Sequence, residues 1–135
     1  MTQEEINNYN RLCAEFLGFK YKNQAKFWAI YPLDNSSYLR KLGYVRMDKL
    51  EFHSDWNWIM EVVEKIKYIE DNQEKFFGEE YYLIHFEIDL LNGVDLFIDK
   101  KRLFSQSAFG EGQLKEAVVK AINQFLIWYN NEQRT

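Results

Sequence analysis

The sequence predicts a single α+β domain over residues 1–135, with a mostly antiparallel sheet of three to five strands packed with three helices. Three observations support this: apolar residues recur at helical spacing in three segments, residues 81–90 alternate with a period of two, and an Asn-Gly pair follows. A chain of 135 residues has the commonest length of one domain. Its aromatic fraction of 18% predicts a core filled largely by rings.

The first helix is predicted to follow Thr2 and to end at Gly18. Thr2 and Glu5 have the spacing of a capping box, in which each side chain accepts a hydrogen bond from the other residue's backbone. One face carries the apolar residues Ile6, Tyr9, Leu12, Cys13, Phe16 and Leu17. Cys13 lies within this stripe, so we expect a buried, unreactive thiol. Because it is the one cysteine, an internal disulfide is excluded.

The segment 19–50 is predicted to contain short strands. Residues 27–31 are aromatic and branched, and Pro32 ends this run. Residues 44–47 and 50–52 are the other candidates, and the composition of 34–37 is that of a loop.

The second helix is predicted to begin at Ser54 or Asp55, since either side chain can accept bonds from the first free amides. Trp56 falls on its broad apolar face and is expected in the core. Trp58 falls at the edge of that face, so it is either a rim residue or an exposed contact. An acidic connection over 70–80 follows.

Residues 81–90 and the strand after Asn92-Gly93 are predicted to form a hairpin with a three-residue loop, Gly93 taking the left-handed position. A two-residue loop would place Leu90 against Asp95 and mix the two faces. The three-residue loop gives the pairs Leu90–Val94, Ile88–Leu96 and Phe86–Ile98. A third strand near 103–108 and a last helix over 113–129 complete the predicted fold.

Charge is unevenly spread along the chain, whose net charge is −4. Residues 19–50 hold seven basic and two acidic side chains, whereas residues 51–80 hold three basic and nine acidic ones. Such asymmetry is typical of a partner surface, although opposed patches also occur on solvated faces. The absence of a leader and of an apolar run of about 20 residues predicts a cytoplasmic protein without a membrane span.

Three sequence blocks resemble a family of small uncharacterised proteins from bacteria and their prophages. They are NYNRLCAEFLG at 8–18, FHSDWNWIMEVVEKI at 52–66, and the closing helix that ends in FLIWYN at 125–130. The overall layout is also similar to small phage proteins described as three-layer α/β/α sandwiches. The resemblance implies a mobile-element origin and carries no activity or catalytic residue with it.

His53, Asp55 and Trp58 form the first candidate binding site. At a helix N-terminus, free amides and the helix dipole favour an anionic small ligand. The alternative is architectural: Ser54 or Asp55 caps the helix, and His53 is simply a residue leaving a strand.

The polar face of the hairpin is the second candidate, as a metal site of His85, Asp89, Asp95 and Asp99. The predicted register places Asp89 opposite Asp95 and His85 opposite Asp99. Facing carboxylates repel one another, and a divalent cation would compensate them. The alternative is a solvated face, or one neutralised by the basic residues at 100–102.

The third candidate is a nucleic-acid surface in 19–50, where basic residues such as Lys20 and Lys26 alternate with rings such as Trp28. Phosphate neutralisation combined with ring stacking is typical of sequence-tolerant single-strand binders. The acidic chain as a whole and the lack of a nucleic-acid-binding motif weigh against it.

The sequence offers no nucleophile–base–orienter set, because it has two histidines and one buried cysteine. We therefore expect a non-enzymatic accessory or interaction protein that needs no cofactor and acts through a protein-binding surface. The alternative is a weak single-stranded nucleic-acid binder that uses the basic, aromatic segment 19–50.

Overall fold

The computed structural model describes residues 1–22, 26–29, 39, 41–73, 84–89, 93–99, 101–107 and 111–133. Within these residues it confirms the α+β class, the antiparallel pairing and the three helices. The six strands among the described residues are divided between two three-stranded sheets. The chain forms two compact units, Met1–Val62 and Val63–Thr135, and the single domain over 1–135 stays a prediction.

The first unit opens with helix α1 (Gln3–Phe16), whose ends follow from its local sequence. Thr2 Oγ1 accepts from the Glu5 amide at 3.2 Å, and Glu5 Oε1 accepts from the Thr2 amide at 3.1 Å. The predicted capping box is thus confirmed. At the other end Gly18 has φ +86°, and the Phe19 amide donates to the Ala14 carbonyl at 2.9 Å. This pattern is a Schellman motif, which a glycine adopts without Cβ strain.

Strands β1 (Lys20–Lys22), β2 (Phe27–Ala29) and β3 (Tyr44–Arg46) form the first sheet in that order. Tyr21 pairs with Trp28, and Trp28 pairs with Val45. Because neighbouring side chains on a strand point to opposite faces, these three share one face. The other face carries the exposed side chains Lys20, Lys22, Tyr44 and Arg46. A short 3-10 turn, Met47–Lys49, follows β3.

Helix α2 (Trp56–Asp71) begins directly after Asp55, whose Oδ1 accepts from the Asn57 amide at 2.8 Å. Of the two predicted capping residues, the structure selects Asp55. The roles predicted for the tryptophans are reversed: Trp58 is 4% exposed, whereas Trp56 is half-buried. The reason is Phe52, a buried residue of the preceding loop, whose ring meets the Trp58 ring edge-on at 5.0 Å.

The second unit contains the rest of α2, strands β4 (Ile84–Asp89), β5 (Gly93–Ile98) and β6 (Lys101–Gln106), and helix α3 (Glu111–Gln133). These strands form the second sheet in chain order, and α3 packs against β5 and β6. Strand β6 begins two residues before the predicted 103–108, and α3 extends beyond 113–129 at both ends. The predicted acidic connection falls largely outside the described residues.

The predicted hairpin register is wrong by two residues. Asp89 pairs with Gly93, so Ile88 faces Val94, Phe86 faces Leu96 and Ile84 faces Ile98. Gly93 is a strand residue with φ +111°, and a Cβ there would lie 2.0 Å from the Gln106 carbonyl oxygen. The glycine therefore admits the close approach of β6. A shift of two residues leaves every side chain on its predicted face, while the predicted pair of Leu90 lies outside the described residues.

In the part of the chain that the structure describes, no helix has both the length and the apolar character needed to cross a bilayer.

Candidate binding groove of the first unit

A groove of about 800 Å³ lies in the first unit, against one side of α1. Helix α1 lines it at positions 4, 8, 11 and 15, a spacing that places side chains on one face. Positions 5, 7 and 10 of α1, strands β1 and β2, the 3-10 turn and Leu50 contribute further lining. Among the described residues, the lining consists of Glu4, Glu5, Asn7, Asn8, Asn10, Arg11, Glu15, Tyr21, Trp28, Met47, Asp48 and Leu50.

The described lining of the groove carries a negative charge, because it holds four carboxylates and one guanidinium. Arg11 Nη2 donates to Asn8 Oδ1 at 2.7 Å. The backbone and side-chain hydrogen bonds from Thr2 lower the pKa of Glu5, so this carboxylate is ionised at neutral pH. Asp48 meets Arg46 at 3.3 Å, but both side chains are largely exposed. Such a surface pair is screened by solvent, and the groove keeps its negative field.

The groove lining also includes the large, weakly polar side chains of Tyr21, Trp28 and Met47. The Tyr21 and Trp28 rings lie 5.1 Å apart at an interplanar angle of 49°. The Tyr21 hydroxyl donates to Met47 Sδ at 3.2 Å. Trp28 is 4% exposed, whereas Met47 is 50% exposed. The pairing of β1 with β2 holds the two rings together, because Tyr21 and Trp28 are directly opposite in the register.

Asn10 is the buried polar residue of the groove, at 5% exposure. Its Nδ2 donates to the Leu50 carbonyl at 3.2 Å and lies 3.1 Å from His53 Nδ1. Because a carbonyl can only accept, this contact fixes which end of the amide is nitrogen. His53 Nδ1 is then an acceptor, which places the ring proton on Nε2.

Two buried polar atoms of the groove residues lack a hydrogen-bond partner among the described parts of the chain. They are the acceptor Asn10 Oδ1 and the donor Trp28 Nε1. A buried polar atom without a partner costs about 1–3 kcal/mol. In native proteins such atoms are normally matched by another protein group, an ordered water or a ligand.

The structure gives each side chain of the first predicted site a different partner. His53 contacts Asn10, Asp55 caps α2, and Trp58 is packed on Phe52. The interpretation of Trp58 as an exposed contact is wrong, because its ring is buried.

Asn10 was missed in the sequence, although a signal exists. It falls four residues after Ile6 and three before Cys13, inside the apolar stripe of α1. A polar residue on a buried face needs partners. The sequence does not show where those partners lie, since His53 and Leu50 are about 40 residues away in the chain.

The basic, aromatic surface predicted for Lys20, Lys26 and Trp28 is not formed as predicted. Lys20 and Lys26 are exposed, whereas the Trp28 ring is buried beside Tyr21. The period of two of β1 turns Lys20 and Lys22 away from the face that carries the two rings.

The predicted metal ligands His85, Asp89, Asp95 and Asp99 are not brought together as predicted. His85 faces Phe97 and Asp89 faces Gly93 in the register, while Asp99 follows β5 with φ +53°. The residue opposite Asp95 is Glu87. The two-residue register shift accounts for these differences.

His85 lies between two carboxylates of the second unit. Its Nδ1 is 3.3 Å from Glu70 Oε1 and its Nε2 is 3.1 Å from Glu87 Oε2. The two nitrogens thus point to different carboxylates. Among the described residues, no group of three His, Cys, Asp or Glu side chains is arranged to hold a metal ion.

Compared with models of known protein families, with curated proteins and with solved structures, the chain matches none of them.

Proposed function

We propose that the protein is a non-enzymatic interaction protein that binds a positively charged segment of a protein partner in the groove along α1. The observation that carries this proposal is the pair of unpartnered buried atoms, Asn10 Oδ1 and Trp28 Nε1, in a groove of net negative charge. A ligand that supplies their missing partners recovers the cost of leaving them unpaired.

A peptide segment suits this groove better than a small anion or an apolar ligand. Four carboxylates repel an anion. An apolar ligand would leave the carboxylates, Asn10 Oδ1 and Trp28 Nε1 without partners. A basic peptide offers cations for the rim, together with amide donors and acceptors for the interior. The groove volume of about 800 Å³ accommodates a few residues of such a segment.

The first test is the binding of a fluorescein-labelled peptide of about nine residues, in which Gly alternates with Lys, measured by anisotropy at low salt. We expect saturable binding that weakens as salt is added. A counterpart with Glu in place of Lys should not bind. If the Lys peptide does not bind, or binds no better than its Glu counterpart, the proposal is wrong.

A pair of matched variants locates the binding. Glu4→Gln with Glu15→Gln removes two carboxylates of the groove, and we expect affinity to fall about three- to tenfold, from the modest strength of exposed charge pairs. Glu51→Gln with Glu64→Gln makes the same charge change at exposed positions outside the groove lining. If both double variants lost the same affinity, the net charge of the protein, and not the groove, would attract the peptide.

A mobile-element origin belongs to the same proposal and is supported by the resemblance of the three sequence blocks to prophage proteins. The genes on either side of the coding sequence provide the test. Phage structural, replication or integration genes are expected there, and a neighbourhood of housekeeping genes in several genomes would contradict this origin.

The second candidate function is weak binding of single-stranded nucleic acid on the opposite face of the first sheet. There, Tyr44 is 65% exposed on the face that also carries Lys20, Lys22 and Arg46. The exposed ring can stack on a base, and the basic side chains around it can neutralise phosphates.

A labelled oligothymidine of about 20 nucleotides tests this face, since backbone and stacking contacts need no sequence. Tyr44→Ala with Lys22→Gln should weaken binding, while Lys41→Gln with Lys49→Gln, outside the strands, serves as the control. No change of anisotropy at low salt would exclude this function.

A further inference from the structure

Resting on the proposed function, we infer that the groove along α1 is an arginine-selective peptide site. In this site a guanidinium donates to Asn10 Oδ1 while stacking on Tyr21, and a backbone carbonyl of the same peptide accepts from Trp28 Nε1.

Asn10 is held in place before a ligand arrives. Its Nδ2 is committed to the Leu50 carbonyl and His53 Nδ1, at 3.2 and 3.1 Å, so the direction of Oδ1 is fixed by the fold. An acceptor that is already oriented gains affinity because less side-chain entropy is lost on binding. The group that it lacks is a donor, and cationic N–H donors give the stronger hydrogen bonds.

Arginine fits this surrounding better than lysine. The guanidinium is planar, so it can lie on the half-buried Tyr21 ring and still donate from its edge. The ammonium of lysine is compact and more strongly hydrated, and it loses more on leaving water. The same groove is lined by the carboxylates of Glu4, Glu15 and Asp48, which attract the positive charge of the guanidinium.

Trp28 decides that the ligand is a peptide and not a free cation. Its Nε1 is a donor, and a guanidinium has no acceptor to offer. A polyamine has the same limitation, since its protonated amines only donate. A peptide carries a carbonyl at every residue, so one chain satisfies Asn10 and Trp28 together.

The peptide must open a small space to reach these atoms, because both are closed off from water. Tyr21 lies against Trp28, and its hydroxyl is bonded to Met47. Met47 is 50% exposed, unbranched and flexible, so it can move aside with little packing lost.

The experiment compares three labelled nonapeptides of alternating Gly and Lys whose central residue is Arg, Lys or citrulline. Citrulline keeps the shape of arginine and removes its charge. We expect the Arg peptide to bind about tenfold more tightly than the Lys peptide, as one additional charge-assisted bond allows. The citrulline peptide should bind more weakly than the Arg peptide. Tight binding of spermidine, equal to that of the Arg peptide, would overturn the peptide assignment.

Two variants assign the contacts. Asn10→Ala should remove the preference for Arg over Lys, and Trp28→Phe should weaken all three peptides by a similar factor. Trp58→Phe is the matched control, because Trp58 is equally buried in the same unit but lies outside the groove lining. Thermal melts of all three variants separate lost binding from lost folding.

A spectroscopic readout covers the case in which Asn10→Ala does not fold. In ¹H–¹⁵N spectra of the unmodified chain, the Trp28 indole signal, assigned from Trp28→Phe, should move downfield when the Arg peptide saturates. An unmoved signal would overturn the carbonyl contact.

Equal affinity for Arg and Lys peptides, with the groove variants still weakening both, would overturn arginine selection and leave the proposed function standing. If no peptide binds, both proposals fail.

Discussion

Tyr9 and Cys13 show how burial acts on single ionisable residues. They lie one turn apart on α1, and both are fully buried. Burial raises the pKa of the Tyr9 hydroxyl well above its ordinary 10.0 and raises that of the Cys13 thiol above its ordinary 9.0. The reason is that a charge inside an apolar interior loses its hydration. The thiol is therefore an inert core group, as the apolar stripe of the sequence predicted.

These two shifts predict a loss of stability at alkaline pH. The unfolded chain releases its protons first, near pH 9 for the thiol and near pH 10 for the phenol, while the folded chain retains them. The free energy of unfolding should be unaffected by these groups below pH 9 and should fall above it, by up to about 1.4 kcal/mol per pH unit for each group. Urea titrations at pH 8, 9.5 and 10.5 measure this slope. Tyr9→Phe should flatten the slope above pH 10, whereas Tyr68→Phe, at an exposed position, should not.

The start of α2 illustrates how an element can imitate a functional site. The carboxylate of Asp55 satisfies the Asn57 amide, so its placement beside His53 and two tryptophans is explained by capping. Asp55→Ala should lower the free energy of unfolding by about 1 kcal/mol, the usual value of an N-cap, while Asp55→Asn should retain most of it. Urea denaturation of the two variants gives the comparison. If Asp55→Ala and Asp55→Asn had the same free energy of unfolding, the side-chain cap would contribute no stability to α2.

Gly93 and Gly18 both have a positive φ but differ in their surroundings, which separates two costs of adding a methyl group. At Gly18, φ is +86° and the space is open, so Gly18→Ala should cost about 1 kcal/mol of strain alone. At Gly93, φ is +111° and the new Cβ would meet backbone at 2.0 Å, so β6 must move. Gly93→Ala should therefore cost about 3 kcal/mol or more, or prevent folding. Thermal and urea melts rank the two, and equal losses would contradict the proximity of β6 to Gly93.

The elements were largely predictable, since they depend on local patterns. The capping box of α1, the alternation of β4 and the helical stripes each follow from residues a few positions apart. The register of β4 with β5 was not predictable, because pairings that differ by two residues bury the same faces of both strands. The roles of Trp56 and Trp58 depended on Phe52, a contact that periodicity does not encode. Asn10 and Trp28 were not identified as a site because their missing partners are a property of the folded chain.

At the scale of the whole molecule, the fold rearranges the charge that the sequence displays. The segment 19–50 has an excess of five positive charges, yet the groove that contains its rings is acidic. The strand β1 turns its lysines to the far face, and helix α1 supplies most of the carboxylates. An uneven charge map was predictable, but the sign of each surface required the pairing of the strands.

Salt should separate the two contributions to peptide binding in the groove. The carboxylates on the rim act through solvent, and their attraction is screened as the Debye length falls from about 30 Å at 0.01 M to about 8 Å at 0.15 M. The affinity of both Arg and Lys peptides should therefore fall by about tenfold across this range. The contact with Asn10 is buried and is screened far less, so the preference for Arg over Lys should persist unchanged. Anisotropy titrations of both peptides at four salt concentrations measure the two quantities together. A preference that disappears with salt would place arginine recognition on the exposed rim instead of at Asn10.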